Sequence, residues 1–210
     1  MANMEHGDLW ARWSQHYRNL GHDPKRITQD GILHPEKFNS DRRVLFILKD
    51  SNNFPGGKLA DLLKNGPVHA MWHVAARWAA GILNGFPEFQ DIDNRRAMTE
   101  ALHQIAVVNL KKITGGAGVS HAVVNAYAHQ DRRLLLEQID AIAPKVILAC
   151  GVFDPLVWLL DLAVDPCKDK EPARSKHNGA WVIPWRHPNR ASNRKTYAEL
   201  KKLWAGLGDV

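Results

Sequence analysis

Four short apolar runs divide the chain into alternating strand-like and helix-like segments. The runs lie at 44–48, 105–110, 145–151 and 181–185. Runs this short, flanked by polar or turn-forming residues, are typical of strands that are buried on both faces of a sheet. The first run, VLFIL, passes directly into the polar sequence KDSNN and then into the turn FPGG.

Between and around these runs, apolar residues recur at the spacing of an amphipathic helix. The predicted helices cover 8–20, 58–64, 68–83, 95–104, 131–142, 154–162 and 192–207. Strands that alternate with helices predict a parallel sheet with helices on both faces. We therefore predict an α/β fold, a three-layer α/β/α sandwich around a central four-stranded parallel sheet. Pro184 cannot donate a ladder hydrogen bond, so we expect the fourth strand at an edge.

Length and composition indicate one globular domain. The 210 residues predict a single domain over 1–210, in which residues 1–41 form a helical and irregular lead-in to the first strand. No apolar run approaches the roughly 18 residues of a membrane span, and the amino terminus lacks the apolar core of a secretory signal. The two cysteines form neither a disulfide framework nor a CxxC metal site. We expect a cytoplasmic monomer with no membrane contact.

The net charge of +6 permits an anionic partner such as nucleic acid without establishing one. Basic residues are spread along the chain, with some concentration at 186–202.

Polar residues follow three of the predicted strands. The sequences are KDSN after the first strand, NLKK at the end of the second and RHPN after the fourth. Because parallel strands end at the same edge of a sheet, Asp50, Asn109 and His187 are expected to converge there. An acid, an amide and an imidazole can orient a water molecule, read a planar ligand and stabilise a developing anion.

With these residues, the sequence resembles the uracil-DNA glycosylase superfamily over roughly 42–204. KDSN occupies the place of the family motif that commonly ends in a water-activating acid or amide, and FPGGKLADLL is similar to the segment with a base-stacking aromatic residue. Asn109 matches the asparagine that reads the base edge. His187-Pro188-Asn189 resembles the His-Pro-Ser motif, whose histidine stabilises the departing base.

The resemblance implies a DNA glycosylase that acts on a modified base in duplex or single-stranded DNA. It implies catalytic roles for Asp50 and His187. The implied base contacts are Phe54, Asn109, Lys49, Ser51 and Asn52. The implied DNA-phosphate contacts are Arg186, Arg190, Ser192, Arg194 and Lys195. We expect no metal and no cofactor, since the four cysteines that hold an iron–sulfur cluster in some branches of the family are absent.

The sequence departs from the family pattern at three positions. Leu48 and Ser51 stand where the first motif usually has glycine and proline, and Asn189 replaces the serine of the last motif. These changes alter the pocket entrance, so uracil itself is not implied as the substrate. Two other functions stay open: a non-catalytic module that binds nucleic acid or nucleotides, and a hydrolase of free nucleosides or nucleotides.

Each of these residues also has a purely structural interpretation. Asp50 could cap the following turn, Asn109 could satisfy backbone groups at a strand end, and Phe54 could belong to the core. The remaining histidines, including His121, lack the spacing of metal ligands, so we interpret them as structural or surface residues.

Overall fold

The computed structural model of the protein describes residues 2–38, 41–51, 53–114, 119–163 and 175–207, with side chains from Asp8 onward. Asn52, one of the predicted base contacts, lies outside these ranges.

Nine α-helices lie in the described ranges. They are α1 (Ala2–Asn19), α2 (Leu59–Leu63), α3 (Ala70–Asn84), α4 (Phe89–Ile92), α5 (Arg95–His103), α6 (His121–Gln130), α7 (Arg132–Ile142), α8 (Phe153–Leu159) and α9 (Asn193–Ala205). A short 3-10 turn covers Pro24–Arg26. None of the helices in the described ranges is long and apolar enough to cross a membrane.

The strands form one large sheet and one short parallel pair. They are β1 (Thr28–Gln29), β2 (Gly31–Ile32), β3 (Val44–Asp50), β4 (Gly57–Lys58), β5 (Ile105–Lys111), β6 (Val146–Cys150), β7 (Ser175–His177) and β8 (Ala180–Trp185). The large sheet has the order β2-β5-β3-β6-β8-β7, and β1 pairs separately with β4.

The large sheet is mixed. The pairs β3–β5, β3–β6 and β6–β8 are parallel, whereas β2 and β7 run antiparallel to their neighbours at the two edges. The α/β class is confirmed, but among the described residues the sheet is mixed and has six strands, with an antiparallel strand at each edge, rather than four parallel strands alone. The edge strands β2 and β7 cannot be predicted from the sequence, because segments of two or three residues are too short to show an alternating pattern.

The position of β8 differs from the prediction. It lies between β6 and β7, not at an edge. However, in the described residues β7 pairs with β8 from Ala180 to Val182, and no described residue of β7 pairs with Pro184. A residue without an N–H group is tolerated where no second neighbour needs its hydrogen bond.

Apolar side chains of β3 point alternately to the two faces of the sheet. Phe46 and Leu48 pack into a cluster with α3, α5 and α9, whereas Leu45 and Ile47 pack into a cluster with α1, α6, α7 and α8. Helices therefore cover both faces, which buries β3 completely except at its polar end.

The lead-in before the first predicted strand contributes to both the core and the sheet. Trp13 and Tyr17 of α1 are fully buried. Strand β2 pairs with β5, and β1 pairs with β4 in the loop after β3. The N–H of Gly57 donates to the carbonyl of Ile27 at 2.9 Å. The lead-in thus closes one edge of the sheet and holds the loop that contains Phe54.

Replacing Gly56 with alanine should strongly destabilise the contact between the loop after β3 and the lead-in. Gly56 has φ of +106°, and a Cβ there would lie 2.2 Å from the carbonyl oxygen of Lys25. Backbone strain and overlap together should lower the free energy of unfolding by about 2–5 kcal/mol in urea denaturation. Gly57→Ala is the matched control, because Gly57 has φ of +95° with nothing within 4 Å of its would-be Cβ. Strain alone should cost that variant about 1–2 kcal/mol, and equal losses in the two variants would contradict the role of the Lys25 backbone.

Candidate active site

His187 lies two residues beyond β8, against the glycine that follows β6. Gly151 has φ of +70°, and a Cβ at this position would lie 3.3 Å from Cβ of His187 and 3.7 Å from Cε of Lys49. The N–H of Gly151 donates to the carbonyl of Trp185 at 2.7 Å. The bare backbone of Gly151 therefore lets the polar ends of three adjacent strands approach one another.

The surroundings of His187 fix both its charge and its tautomer. Burial lowers the pKa of His187 to about 4, and the positive charge of Lys49 adds to the decrease. The backbone N–H of Asn189 donates to Nδ1 of His187 at 3.1 Å. Since Nδ1 is an acceptor, the neutral ring carries its proton on Nε2. At neutral pH His187 is thus an uncharged hydrogen-bond donor.

Lys49 joins His187 to a second histidine that the sequence analysis assigned to a structural or surface role. The ammonium of Lys49 donates to Nε2 of His121 at 3.0 Å. His121 is the first residue of α6, whose N-cap Ser120 accepts from the N–H of Val123 at 3.3 Å. The sequence SHAV does carry the N-cap signal of a helix start, which was the available clue to His121.

Asp50 ends β3 beside Lys111 of β5. Nζ of Lys111 lies 3.8 Å from Oδ2 of Asp50, and the two side chains are 6% and 8% exposed, respectively. Burial lowers the pKa of Lys111, and the charge of Asp50 opposes this decrease. Oδ2 of Asp50 is buried and has no hydrogen-bond partner among the described residues. The edge of the sheet therefore holds a buried carboxylate beside a buried lysine, and one carboxylate oxygen lacks a hydrogen-bond partner among the described residues.

Asn109 is held by a residue of the lead-in. Its backbone N–H and its Nδ2 both donate to Oδ2 of Asp30, at 2.8 and 3.0 Å. Oδ1 of Asp30 accepts from Nζ of Lys112 at 2.6 Å and from Nε2 of Gln138 at 3.0 Å. Asn109 is 1% exposed, and its own Oδ1 has no partner among the described residues. No local sequence signal marks Asp30, which precedes Asn109 by 79 residues.

The loop after β3 places its two described candidates differently. The hydroxyl of Ser51 is hydrogen-bonded to the buried Thr28 of β1. Phe54 is half-buried and belongs to neither apolar cluster. Its N–H donates to the carbonyl of Ser51 at 3.1 Å, and its carbonyl accepts from Thr114. The backbone of Phe54 is thus fixed by hydrogen bonds while its ring lies outside the core. The Ser51 hydroxyl already has a hydrogen-bond partner in Thr28.

The predicted phosphate contacts fall into two groups. Arg186 pairs with Glu199 at 2.7 Å and lies over the ring of Trp185, and Arg194 lies over the ring of Phe89. Arg190, Ser192 and Lys195 are exposed. The first group has internal partners that a phosphate would have to displace or share, whereas the second group faces solvent directly.

Two depressions flank the turn that contains His187. One has a volume of about 500 Å³ and is lined by His121, Gly151, Phe153, Asp154, Pro155, Pro184, Trp185 and Arg186. The other, of about 340 Å³, is lined by Ala70, His73, Val74, Arg77, Pro188, Arg190, Ala191 and Asn193. The residues just before and just after His187 therefore line two different depressions.

A larger depression, of about 820 Å³, lies at the opposite edge of the sheet, where Arg43, Val146 and Trp181 mark the strand starts. Ligands of open α/β sheets bind outside the carboxyl ends of the strands. The unpartnered oxygens of Asp50 and Asn109 also belong to that carboxyl edge. For both reasons we place the candidate site at the carboxyl edge of the sheet and not at this larger depression.

The three residues expected to converge do share one edge, in three separate local groups. His187 lies near the charge of Lys49, Asp50 pairs with Lys111, and Asn109 donates hydrogen bonds to Asp30. In the described ranges, no hydrogen bond or ion pair joins Asp50, Asn109 and His187 to one another. Each of the three residues therefore reaches this edge with its own local partners.

Within the same ranges, no group of three or more His, Cys, Asp or Glu side chains is placed to hold a metal ion. A scan against protein-family models found no match to the chain, and a search of curated proteins found none either.

Proposed function

We propose that the protein is a DNA glycosylase with a uracil-DNA glycosylase-like fold, which hydrolyses the N-glycosidic bond of a deaminated or damaged base. The observation that carries this proposal is the neutral, Nε2-protonated ring of His187 at the same sheet edge as the buried carboxylate of Asp50. Cleavage of an N-glycosidic bond needs stabilisation of opposite charges at two places, and these two groups match that requirement.

Positive charge develops on the sugar as the bond breaks. The carboxylate of Asp50 can stabilise this charge or orient the attacking water through Oδ2, which has no partner among the described residues. Lys111, at 3.8 Å, is a cationic neighbour that leaves this oxygen without a hydrogen bond. Asp50 is therefore assigned to the sugar side of the reaction.

Negative charge develops on the departing base. Nε2 of His187 can donate a hydrogen bond to a base oxygen, and the ammonium of Lys49 adds a positive charge beside it. Donors that are already oriented toward developing charge stabilise a transition state without reorganisation. His187 and Lys49 are therefore assigned to the base side.

The surface around the site suits a nucleic acid. The net charge is +6, and the exposed residues Arg190 and Lys195 follow His187 in the sequence. Extrusion of a base from DNA costs a few kcal/mol, which stacking on an aromatic ring and hydrogen bonds to the base edge can offset. Phe54 and Asn109 are suited to these two contacts.

The test is base release from DNA oligonucleotides that carry uracil, hypoxanthine, xanthine or mismatched thymine, in both duplex and single-stranded form. We expect alkali-sensitive abasic sites in at least one substrate. No abasic product from any of them would overturn the proposal. Salt-dependent DNA binding without release would support a non-catalytic binding module, and hydrolysis of free nucleosides without DNA affinity would support a nucleoside hydrolase.

A further inference from the structure

In the described ranges, the side-chain amide of Asn109 has a hydrogen-bond partner at only one of its two ends. Its nitrogen is hydrogen-bonded to Asp30, while its oxygen is buried without a partner among the described residues. A buried acceptor that lacks a partner is costly, so a ligand or a water molecule that supplies the donor is expected beside Oδ1 of Asn109.

Asp30 determines which end of the amide is presented. Four donors face its carboxylate: the backbone N–H and Nδ2 of Asn109, Nζ of Lys112 and Nε2 of Gln138. A protonated carboxyl would direct its O–H against one of these donors, so the arrangement requires the ionised form, which only accepts hydrogen bonds. The amide of Asn109 must then turn its nitrogen toward Asp30 and its oxygen away.

We propose that Asp30 is a positioning residue that makes Asn109 present an acceptor, so that the site selects bases with an N–H or NH₂ donor at that point. Lys112 and Gln138 hold Asp30 in place from its second oxygen. The inference rests on the proposed function only in taking a nucleobase as the ligand.

The expected selectivity follows from the cost of leaving Oδ1 of Asn109 unpaired. A base with an N-methyl group in place of the donor occupies the same plane but offers no hydrogen bond. A site with a buried polar group rejects such an analogue strongly, because its own group stays unsatisfied. If Asp30 had a purely structural role, it would only accept hydrogen bonds from Asn109 of β5. Its replacement would then affect folding without changing this preference.

The test compares binding of uracil with 3-methyluracil, and of hypoxanthine with 1-methylhypoxanthine. The readout is the Asn109 side-chain amide signal in nitrogen-15 NMR titrations of the full chain. The wild-type protein should bind the unmethylated member of at least one pair about tenfold more tightly, as expected for one hydrogen bond to a buried acceptor. No difference within either pair, or no binding of any of the four bases, would overturn the proposal.

The key variant is Asp30→Asn/Lys112→Met, which removes both charges together and so avoids an unpaired buried lysine. The amide introduced at position 30 offers both a donor and an acceptor. The Asn109 amide can therefore present either its nitrogen or its oxygen to the ligand. The binding ratio should fall to less than about threefold while the dispersed NMR spectrum is retained. An unchanged ratio in this folded variant would refute the role of Asp30. Asp140→Asn is the matched control, since Asp140 is an exposed carboxylate that pairs with His177 elsewhere on the protein.

These measurements need no base release. Donor-dependent binding without any abasic product would contradict the proposed function and keep the inference about Asp30. Base release together with a binding ratio that does not depend on Asp30 would support the proposed function and contradict the inference about Asp30.

Discussion

His187→Ala should lower the single-turnover rate of base release by about 10²–10³-fold, with little change in DNA affinity. The expected loss is that of one oriented donor to a developing anion. Asn189→Ala is the matched control, because the hydrogen bond to Nδ1 of His187 comes from the backbone N–H of Asn189 and survives that substitution. A His187→Ala rate equal to that of the wild-type protein would remove His187 from the mechanism.

The pH dependence separates the two causes of the low His187 pKa. With a pKa of about 4, the ring stays neutral from pH 7 to about pH 5, and the rate should fall only as pH approaches 4. Protonation of Nδ1 then replaces the acceptor for the Asn189 N–H with a second donor. Lys49→Met removes the smaller cause, so the acid limb should move to higher pH and still lie below 6.5. A wild-type acid limb near 6.5 would contradict the burial of the ring.

The same pKa affects folding. The unfolded chain binds a proton at His187 near pH 6.5, whereas the folded protein resists protonation until about pH 4. The unfolded state therefore binds more protons in this interval, and the contribution of His187 to stability is lost progressively as pH falls from 6.5 toward 4.

Asp30→Ala should destabilise the protein by about 3–5 kcal/mol, because it leaves a charged lysine buried without its partner. The side chains of Asp30 and Lys112 are both fully buried, and the ammonium lies over the rings of Trp10 and Trp13. Urea denaturation at pH 7 measures the loss. The double variant Asp30→Ala/Lys112→Met should recover most of it, and failure to recover would show that hydrogen bonds to Asn109 and Gln138 dominate instead.

The Asp30→Ala deficit should also shrink with rising pH. Burial lowers the pKa of Lys112, and Asp30 is the main group that opposes this decrease. Without Asp30, the pKa of Lys112 falls further, so the folded variant releases this proton at lower pH than the folded wild-type protein does. Stability rises with pH wherever the unfolded state binds more protons, so the deficit should be smaller at pH 9 than at pH 7.

Apolar patterning was sufficient to predict the interior of the fold. The strands around Phe46 and Val107 appear as continuous apolar runs because both of their faces are covered by helices. Helix α6 was missed because its burial rests on only Val124 and Ala128, too few for a clear helical stripe. The short strands β1, β2 and β7 have no pattern of their own and exist only through their partners.

The candidate site divides in the same way. Parallel strands must end at a common edge, so topology alone places Asp50, Asn109 and His187 together. Their partners could not be predicted in this way. His121 lies 72 residues from Lys49, and Asp30 lies 79 residues from Asn109, distances along the chain at which only three-dimensional packing brings residues into contact.

The docking of the lead-in also has a consequence for the order of events during synthesis. Asp30 leaves the ribosome before its partners Asn109 and Lys112, which follow 79 and 82 residues later. Until β5 has been made, β2 has no neighbour to pair with and the carboxylate has no lysine. A fragment that starts at Arg42 would contain every recognisable motif, yet it would lack the group that orients Asn109 and neutralises Lys112. The smallest fragment that retains these contacts therefore begins upstream of Asp30.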